Sequence, residues 1–260
     1  MEQIIKNVID LEKCTGCGLC AADCLRHIIE IRDGRADILS DDCPKCGHCV
    51  AVCPENAVRM DGIEDEIFEK GSAAGALNAD DLKAHLKLRR SVRHYKQTPV
   101  EREKLEKIVE AGRLTPSGSN LQNVRYIVVQ NGIDELEDEV LAQYKALRGQ
   151  APLPGSPDIS NFKLERGFLF YNAPALILVV SENNTNACLA AMSMELMAEA
   201  LGLGTVYVGL FTRPANQNEA LRGKLGIAGN ENIAICMTIG YPDVTYLRSA
   251  PKKPANIVWR

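Results

Sequence analysis

"CTGCGLCAADC", residues 14–24, sets four cysteines at steps of three, three and four, and "CPKCGHCVAVCP", residues 43–54, repeats those steps nineteen residues after the first run ends. Two runs of one spacing make an internal repeat, and the fold of the first part of the chain turns on what eight thiols hold. Only Cys188 and Cys236 lie outside the runs. The opening "MEQIIKNVIDLEK" is polar and mixed in charge, so no signal peptide is expected. The longest apolar stretch, "APALILVV", is too short to cross a bilayer. A soluble, cytoplasmic protein is therefore expected. In that compartment clustered cysteines bind metal or do redox chemistry rather than pair as disulfides.

Zinc takes two CxxC pairs with a longer gap, four thiolates in all. Here each run supplies four cysteines within eleven residues, too many for one tetrahedral ion. The C-x2-C-x2-C-x3-C run is the spacing of bacterial 4Fe–4S ligation, in which the fourth cysteine serves the other cluster. Residues 1–60 thus resemble the two-cluster ferredoxin family. The ligand sets that follow are Cys14, Cys17, Cys20 and Cys53 for one cluster, and Cys43, Cys46, Cys49 and Cys24 for the other. Gly16, Gly18 and Gly47 let the loops fold tightly and turn amides toward the sulfides. The second run ends in Cys53-Pro54, whereas Leu25 follows Cys24 and loosens that turn. His27 and His48 stand near complete ligand sets and are expected at the surface.

The 260 residues are 46% apolar and 25% charged with a net charge of −4, an ordinary globular composition with room for two domains. No basic stripe appears, so nucleic acid is not an expected partner. Past residue 60, "DGIEDEIFEKGSAAGALNAD" mixes acids with a small-residue run, and 61–80 reads as a linker between a first domain, 1–60, and a second, 81–260. A helix begins near Asn78, with Leu82, Leu86 and Leu88 on one side. "TPVEREKLEKIVEAG" offers Thr98 as cap, Pro99 for the first turn and Glu101 to close a capping box. "VRYIVVQNG" reads as a strand, "IDELEDEVLAQYKALR" as an amphipathic helix and "PLPGSPDISNF" as a loop. "APALILVV" and "NIAICMTIGYP" read as buried strands. "ACLAAMSMELMAEALGLG" is a helix apolar nearly all round and so central, its methionines core packing. Cys188 and Cys236, in that helix and strand, are expected to be buried, inert thiols. The mixture points to α+β rather than a doubly wound sheet, and no G-x-G-x-x-G follows a strand.

"RRSVRHY" (89–95), "PSGSNLQ" (116–122), "ALGLGTVYVG" (200–209) and "GYP" (240–242) resemble, in that order, motifs of the nitroreductase family. The resemblance covers residues 81–260. It implies a nitroreductase-like α/β sandwich, preceded here by the small bacterial-ferredoxin-like α+β domain. It also implies a homodimer binding FMN. On the residues alone, Arg89, Ser91 and Arg93 alternate by two and suit a phosphate and a ribityl chain, or form a solvated basic cluster. The resemblance assigns these positions and Arg90 to FMN, with Arg93 near the pyrimidine edge. It carries Pro116, Ser117, Asn120 and Gln122 to the flavin of the partner subunit. It sets Val208, Gly209 and Leu210 against the flavin, the Gly209 backbone near N5. Arg248 aligns with a phosphate ligand, Lys252 and Lys253 being rivals. Asn123 and Val124 stand where the family often has proline and an aromatic residue.

The resemblance therefore implies an enzyme, an iron–sulfur flavoprotein passing electrons between two 4Fe–4S clusters and FMN. Its acceptor would be a nitro, quinone or other conjugated small molecule, with a ferredoxin or NAD(P)H as candidate donor. No side chain stands out as a catalytic acid or base; the flavin N5 does the chemistry. The alternatives are an electron carrier or redox sensor docking a protein partner, and a flavin oxidoreductase passing electrons outward from NAD(P)H.

Overall fold

Met1–Ala76 with Ser117–Leu121 form one unit of the computed structural model, and Leu77–Pro116 with Gln122–Arg260 the other. The structure describes residues 5–69, 77–147 and 162–260. The small-residue run at 71–76 and nearly all of the expected loop at 152–162 lie outside them.

The first unit is built twice over. Strand β1 (Lys6–Ile9), the first cysteine loop, the short helix α1 (Leu19–Ala22) and β2 (Ile29–Arg32) make one half. The second half is β3 (Arg35–Ile38), the second loop, α2 (His48–Val52) and β4 (Val58–Asp61). β1 pairs antiparallel with β4, so the two ends of the unit close on each other. β2 and β3 form a hairpin through Asp33-Gly34, whose φ values of 48° and 72° suit the primed turn that matches strand twist. The buried interior is small: Ile29, Ala36, Ala57 and Val58 with Cys14, Cys20 and Cys49.

In the second unit Asn78 caps α3 (Ala79–Leu88), its side chain accepting from the Asp80 and Asp81 amides at 2.8 and 3.1 Å. Leu86 and Leu88 remain exposed. Helix α4 runs Arg102–Arg113 and departs from expectation at its start: Glu101 is the N-cap, with no side-chain cap bond, and Thr98 lies outside. The reason is tertiary. The Tyr241 hydroxyl contacts both Glu101 carboxylate oxygens, at 2.6 and 2.9 Å, and Val100 is buried, so the preceding chain is anchored extended. The elements β5 (Arg125–Val129), α5 (Ile133–Ala146), β6 (Ala175–Ser181) and α6 (Asn184–Ala200) follow. The chain then forms β7 (Gly204–Tyr207), α7 (Gly209–Gln217), α8 (Glu219–Lys224) and β8 (Asn232–Gly240); the first three of these escaped the sequence reading.

The sheet order is β5-β6-β8-β7, every pairing antiparallel, which makes the unit α+β as expected. All seven residues of β6 are buried because both faces are covered. Leu176, Leu178 and Val180 pack with α5 and α7; Ala175, Ile177 and Val179 pack with Leu105 and Ile108 of α4 and with Met194 of α6. Cys236 is buried as expected, but Cys188 is exposed. An apolar-all-round helix need not be covered all round within one chain. No helix among the described residues is long and apolar enough to cross a membrane.

Candidate metal centres and flavin site

The eight cysteines line two separate cavities. One, of about 340 Å³, is walled by Cys14, Cys17, Cys20 and Cys53, with Ile31, Ala36 and Val58 among its apolar lining. The other, of about 410 Å³, is walled by Cys24, Cys43, Cys46 and Cys49, with Ile28, Ile29 and Ile38. Each cavity takes three thiols from one run and the fourth from the other. None of the ten cysteines is in a disulfide. Among the described residues no three His, Cys, Asp or Glu side chains converge on a single ion. Thiols standing around a cavity, rather than meeting at a point, fit a polynuclear iron–sulfur cluster and not one zinc.

Main-chain N–H groups already address the sulfurs: Ala36 N donates to Cys14 Sγ and Ala57 N to Cys53 Sγ, each at 3.3 Å, and Lys45 N to Cys43 Sγ at 3.4 Å. Such bonds are what thiolate ligands need. The close winding depends on Gly16. Its φ is +67°, and a Cβ there would stand 2.3 Å from the Gly34 carbonyl oxygen. Burial pushes the Cys49 thiol up to about 11 and that of Cys20 upward, so metal binding must draw these protons off. His48 is exposed and pairs with Asp23 at 3.1 Å; His27 is exposed as well.

In the second unit, β7 gathers several flavin candidates. Val92 N donates to Thr205 O at 2.9 Å, laying the segment after α3 along that edge strand. The approach is close because residue 204 is glycine: a Cβ there would come within 2.4 Å of Val92 Cγ2. The buried Tyr95 hydroxyl fastens the segment to Val92 O at 2.8 Å and to Thr238 Oγ1 at 2.6 Å. At the far end of β7, Val208 is tied to Cys236 O at 2.8 Å and caps α7. Gly209 opens that helix, and its amide, like that of Leu210, has no acceptor among the described residues. The Tyr246 hydroxyl donates to Ser91 O at 3.2 Å, bringing the stretch that carries Arg248 beside Ser91.

Among the described residues the side chains of Arg90, Ser91, Arg248, Lys252 and Lys253 have no hydrogen-bond or ion-pair partner. Arg93 lies over the Tyr171 ring at 5.9 Å. Arg89 is committed elsewhere: its Nη1 meets Glu195 Oε1 at 2.5 Å, while Nε is buried without a partner. Glu195 is 3% exposed and also accepts from the Tyr207 hydroxyl at 2.9 Å. Burial first, then the Glu195 carboxylate, pushes the Tyr207 hydroxyl strongly upward.

Pro116 and Gln122 stay with the second unit, and 117–121 group with the first. There Asn120 Nδ2 donates to the carbonyls of Pro44 at 3.1 Å and Lys45 at 2.9 Å. Ser119, Asn120 and Gln122 all have positive φ, near 50°, a conformation costly for residues other than glycine and common at ligand sites. Asn123 accepts from Asn186 Nδ2 at 3.0 Å, so this position locks the start of α6.

The sequence reading missed Glu195, Tyr207 and Asn7. The carboxylates at 195 and 199 in "MSMELMAEALG", one turn apart in an otherwise apolar helix, were the available signal for Glu195, since a buried charge requires a partner. Asn7, in β1, is buried and donates to Cys43 Sγ at 3.1 Å.

Comparison with known proteins agrees with both units. A 4Fe-4S dicluster domain model matches residues 6–69, and a nitroreductase family model matches residues 86–241. A nitroreductase with bound FMN from Desulfitobacterium hafniense DCB-2 is similar in structure at TM-score 0.56 and 26% identity, over 70% of this chain and 100% of that one. One from Bacteroides fragilis NCTC 9343 shares the fold at TM-score 0.57 and 23% identity, over 70% and 99%. A putative NADH dehydrogenase/NAD(P)H nitroreductase of Archaeoglobus fulgidus is 29% identical over 59% of this chain and 81% of its own length. The chain is also 37% identical over 78 residues to the DNA-directed RNA polymerase subunit Rpo3 of Methanosarcina mazei, and spans only 29% of that relative. With well over half its length matched and the antiparallel sheet between helices in place, the chain belongs to the nitroreductase family, and it carries an N-terminal 4Fe–4S dicluster domain.

Proposed function

We propose that this oxidoreductase carries two 4Fe–4S clusters and FMN on one chain and reduces a nitro, quinone or other conjugated small molecule. The observation that carries the reading is the pair of four-thiol cavities on the same chain as a nitroreductase domain. When bound, the clusters supply one-electron transfer and FMN two-electron transfer at N5, so two of the former match one of the latter.

Cys14, Cys17, Cys20 and Cys53 hold one cluster, and Cys24, Cys43, Cys46 and Cys49 the other. Arg90 and Arg248 would bring unpaired cations, Ser91 a hydroxyl and Arg93 a guanidinium resting over Tyr171 to the flavin's phosphate, ribityl chain and pyrimidine edge. Arg89 joins them as a guanidinium oriented by Glu195. The free Gly209 amide would be the donor offered to N5, with Val208 and Leu210 beside it. Pro116, Ser117 and Gln122 reach the flavin of a second copy. Asn120 is assigned with them by resemblance alone, since its amide serves Pro44 and Lys45 here. A homodimer also suits α6, which leaves Leu189 48% exposed and Met192 and Leu196 only half-buried at helical spacing. With Asn123 bound to Asn186, the pocket lacks the family's frequent proline and aromatic wall, which favours acceptors that do not need one.

Protein purified without oxygen should hold about eight iron and eight sulfide per chain, together with FMN. It should turn over a nitro or quinone acceptor when supplied with a low-potential one-electron donor. One zinc per cysteine run, or a loaded protein inert toward every such acceptor, would overturn the reading.

A further inference from the structure

We infer that Asn7 is a tuning residue: its side-chain amide sets the reduction potential of the cluster held by Cys24, Cys43, Cys46 and Cys49. The inference rests on the two-cluster reading above. Asn7 stands in β1, buried to 9% exposure, and Nδ2 reaches Cys43 Sγ at 3.1 Å.

The internal repeat shows what is unusual here. Asn7 lies seven residues before Cys14, and Ala36 lies seven before Cys43. Each serves the first cysteine of the opposite run, but Ala36 does so through its main-chain N–H to Cys14 and Asn7 through its side chain to Cys43. A second asymmetry makes the side chain matter. In the first cavity the cysteine that crosses over, Cys53, accepts from Ala57 N. Its counterpart Cys24 accepts no hydrogen bond on sulfur among the described residues, in a turn where leucine replaces proline. Asn7 thus returns to the second cavity the donor that the turn after Cys24 does not provide to its sulfur.

The far end of the amide supports the assignment. Asn7 Oδ1 is buried with no partner. A residue kept for the sheet alone would not need a buried, unsatisfied carbonyl, because an apolar side chain would fill the space without that cost. Turning the amide over would aim Oδ1 at Cys43, where a ligating thiolate has no proton to give. The donor orientation is the one a metal-bound sulfur requires.

One-electron reduction adds negative charge to the cluster and its ligand sulfurs, which strengthens an N–H···S bond and favours the reduced form. No covalent bond forms or breaks, and the electron comes from the external reductant, dithionite in the experiment below. Removing the donor lowers the potential at that cavity alone.

The test is a potentiometric titration of the anaerobically purified full-length protein, followed by electron paramagnetic resonance. Wild type is compared with Asn7→Leu, which removes the donor, and Asn7→Asp, which keeps the shape but replaces the donor with an acceptor. One reduction step should move to lower potential, further in Asn7→Asp, while the other stays in place as an internal reference. With iron content intact, unmoved steps or two steps moved equally would overturn the inference. Should both variants lose iron, native protein carrying 15N in its asparagine side-chain amides decides the matter: a 15N coupling to the reduced-cluster spin is expected, and its absence overturns the assignment. A wild-type count near four iron instead of eight would overturn the two-cluster reading itself, a result distinct from unmoved steps at full loading.

Discussion

Replacing Arg89 with alanine should cost the fold more than any loss of a surface cation could. Its partner Glu195 has a side chain only 4% exposed, against 26% for Arg89. In Arg89→Ala the carboxylate keeps the Tyr207 hydroxyl, but that bond exists already and offsets nothing. Removing one member of a buried pair strands the other charge, at about 3–5 kcal/mol; the partial exposure of Arg89 argues for the lower end. Glu195→Gln should be milder, on the order of 1 kcal/mol, because the amide can still accept from Tyr207 and the freed guanidinium can turn to water. The diagnostic is the double variant Arg89→Ala/Glu195→Gln. It leaves no stranded charge, so it should be more stable than Arg89→Ala alone by roughly 1–2 kcal/mol, a coupling of about 2–3 kcal/mol against the two single losses. Urea unfolding of the full-length protein, followed by circular dichroism, measures all four corners of the cycle. FMN affinity measured alongside should fall in Arg89→Ala and, less, in Glu195→Gln. A double variant no more stable than Arg89→Ala would refute the buried-pair account, as would a single loss below about 1 kcal/mol.

Cys53→Ala should deplete iron from the cavity of Cys14, Cys17 and Cys20 rather than from its own run's, seen as selective loss of one reduction step. Gly16→Ala should lower iron loading of the same cavity, because its Cβ would collide with the Gly34 carbonyl at a backbone φ that alanine disfavours; full loading would show that the loop shifts freely. In the second unit, Arg125 donates to both Glu231 carboxylate oxygens, at 2.6 and 3.1 Å, and holds that carboxyl below its ordinary range. A lowered folded value contributes stability that is complete above the ordinary carboxylate range and is lost as pH falls through the folded value. Glu231→Gln should therefore flatten the acid limb of stability against pH, and an unchanged limb would remove Glu231 from the account.

The cysteine runs were legible because ligation fixes spacing locally: three thiols within seven residues can wrap little else. β6 and β8 were legible as continuous apolar runs because a sheet covered on both faces leaves no polar alternation to read. The start of α4 was not, since the tyrosine that captures Glu101 lies 140 residues away. Nor was the pairing of Arg89 with Glu195 across 106 positions. The sequence reading gave Arg89 to the flavin or to a solvated basic cluster, and Glu195 went unread. Cys188 was misplaced because the periodicity of α6 reports how apolar its surroundings are, not whether this chain alone provides them. β7 and α7 went unread for a related reason: "GTVYVGLFTRPANQ" turns directly from strand to helix at a glycine, and Pro214 lies inside the helix.

Three of the seven buried apolar residues of the first unit, Cys14, Cys20 and Cys49, are among the proposed cluster ligands. In that reading, lifting out the iron would remove more than a cofactor, because the same side chains would then be thiols around a void with Ile29, Ala36, Ala57 and Val58 as the buried neighbours to close it. For such a unit, loading and maturation are one event. Oxygen that strips a cluster would shorten the protein's lifetime as well as its electron capacity, by offering proteases an opened chain. Iron supply would then govern how much of the protein persists, with no dedicated regulatory element required.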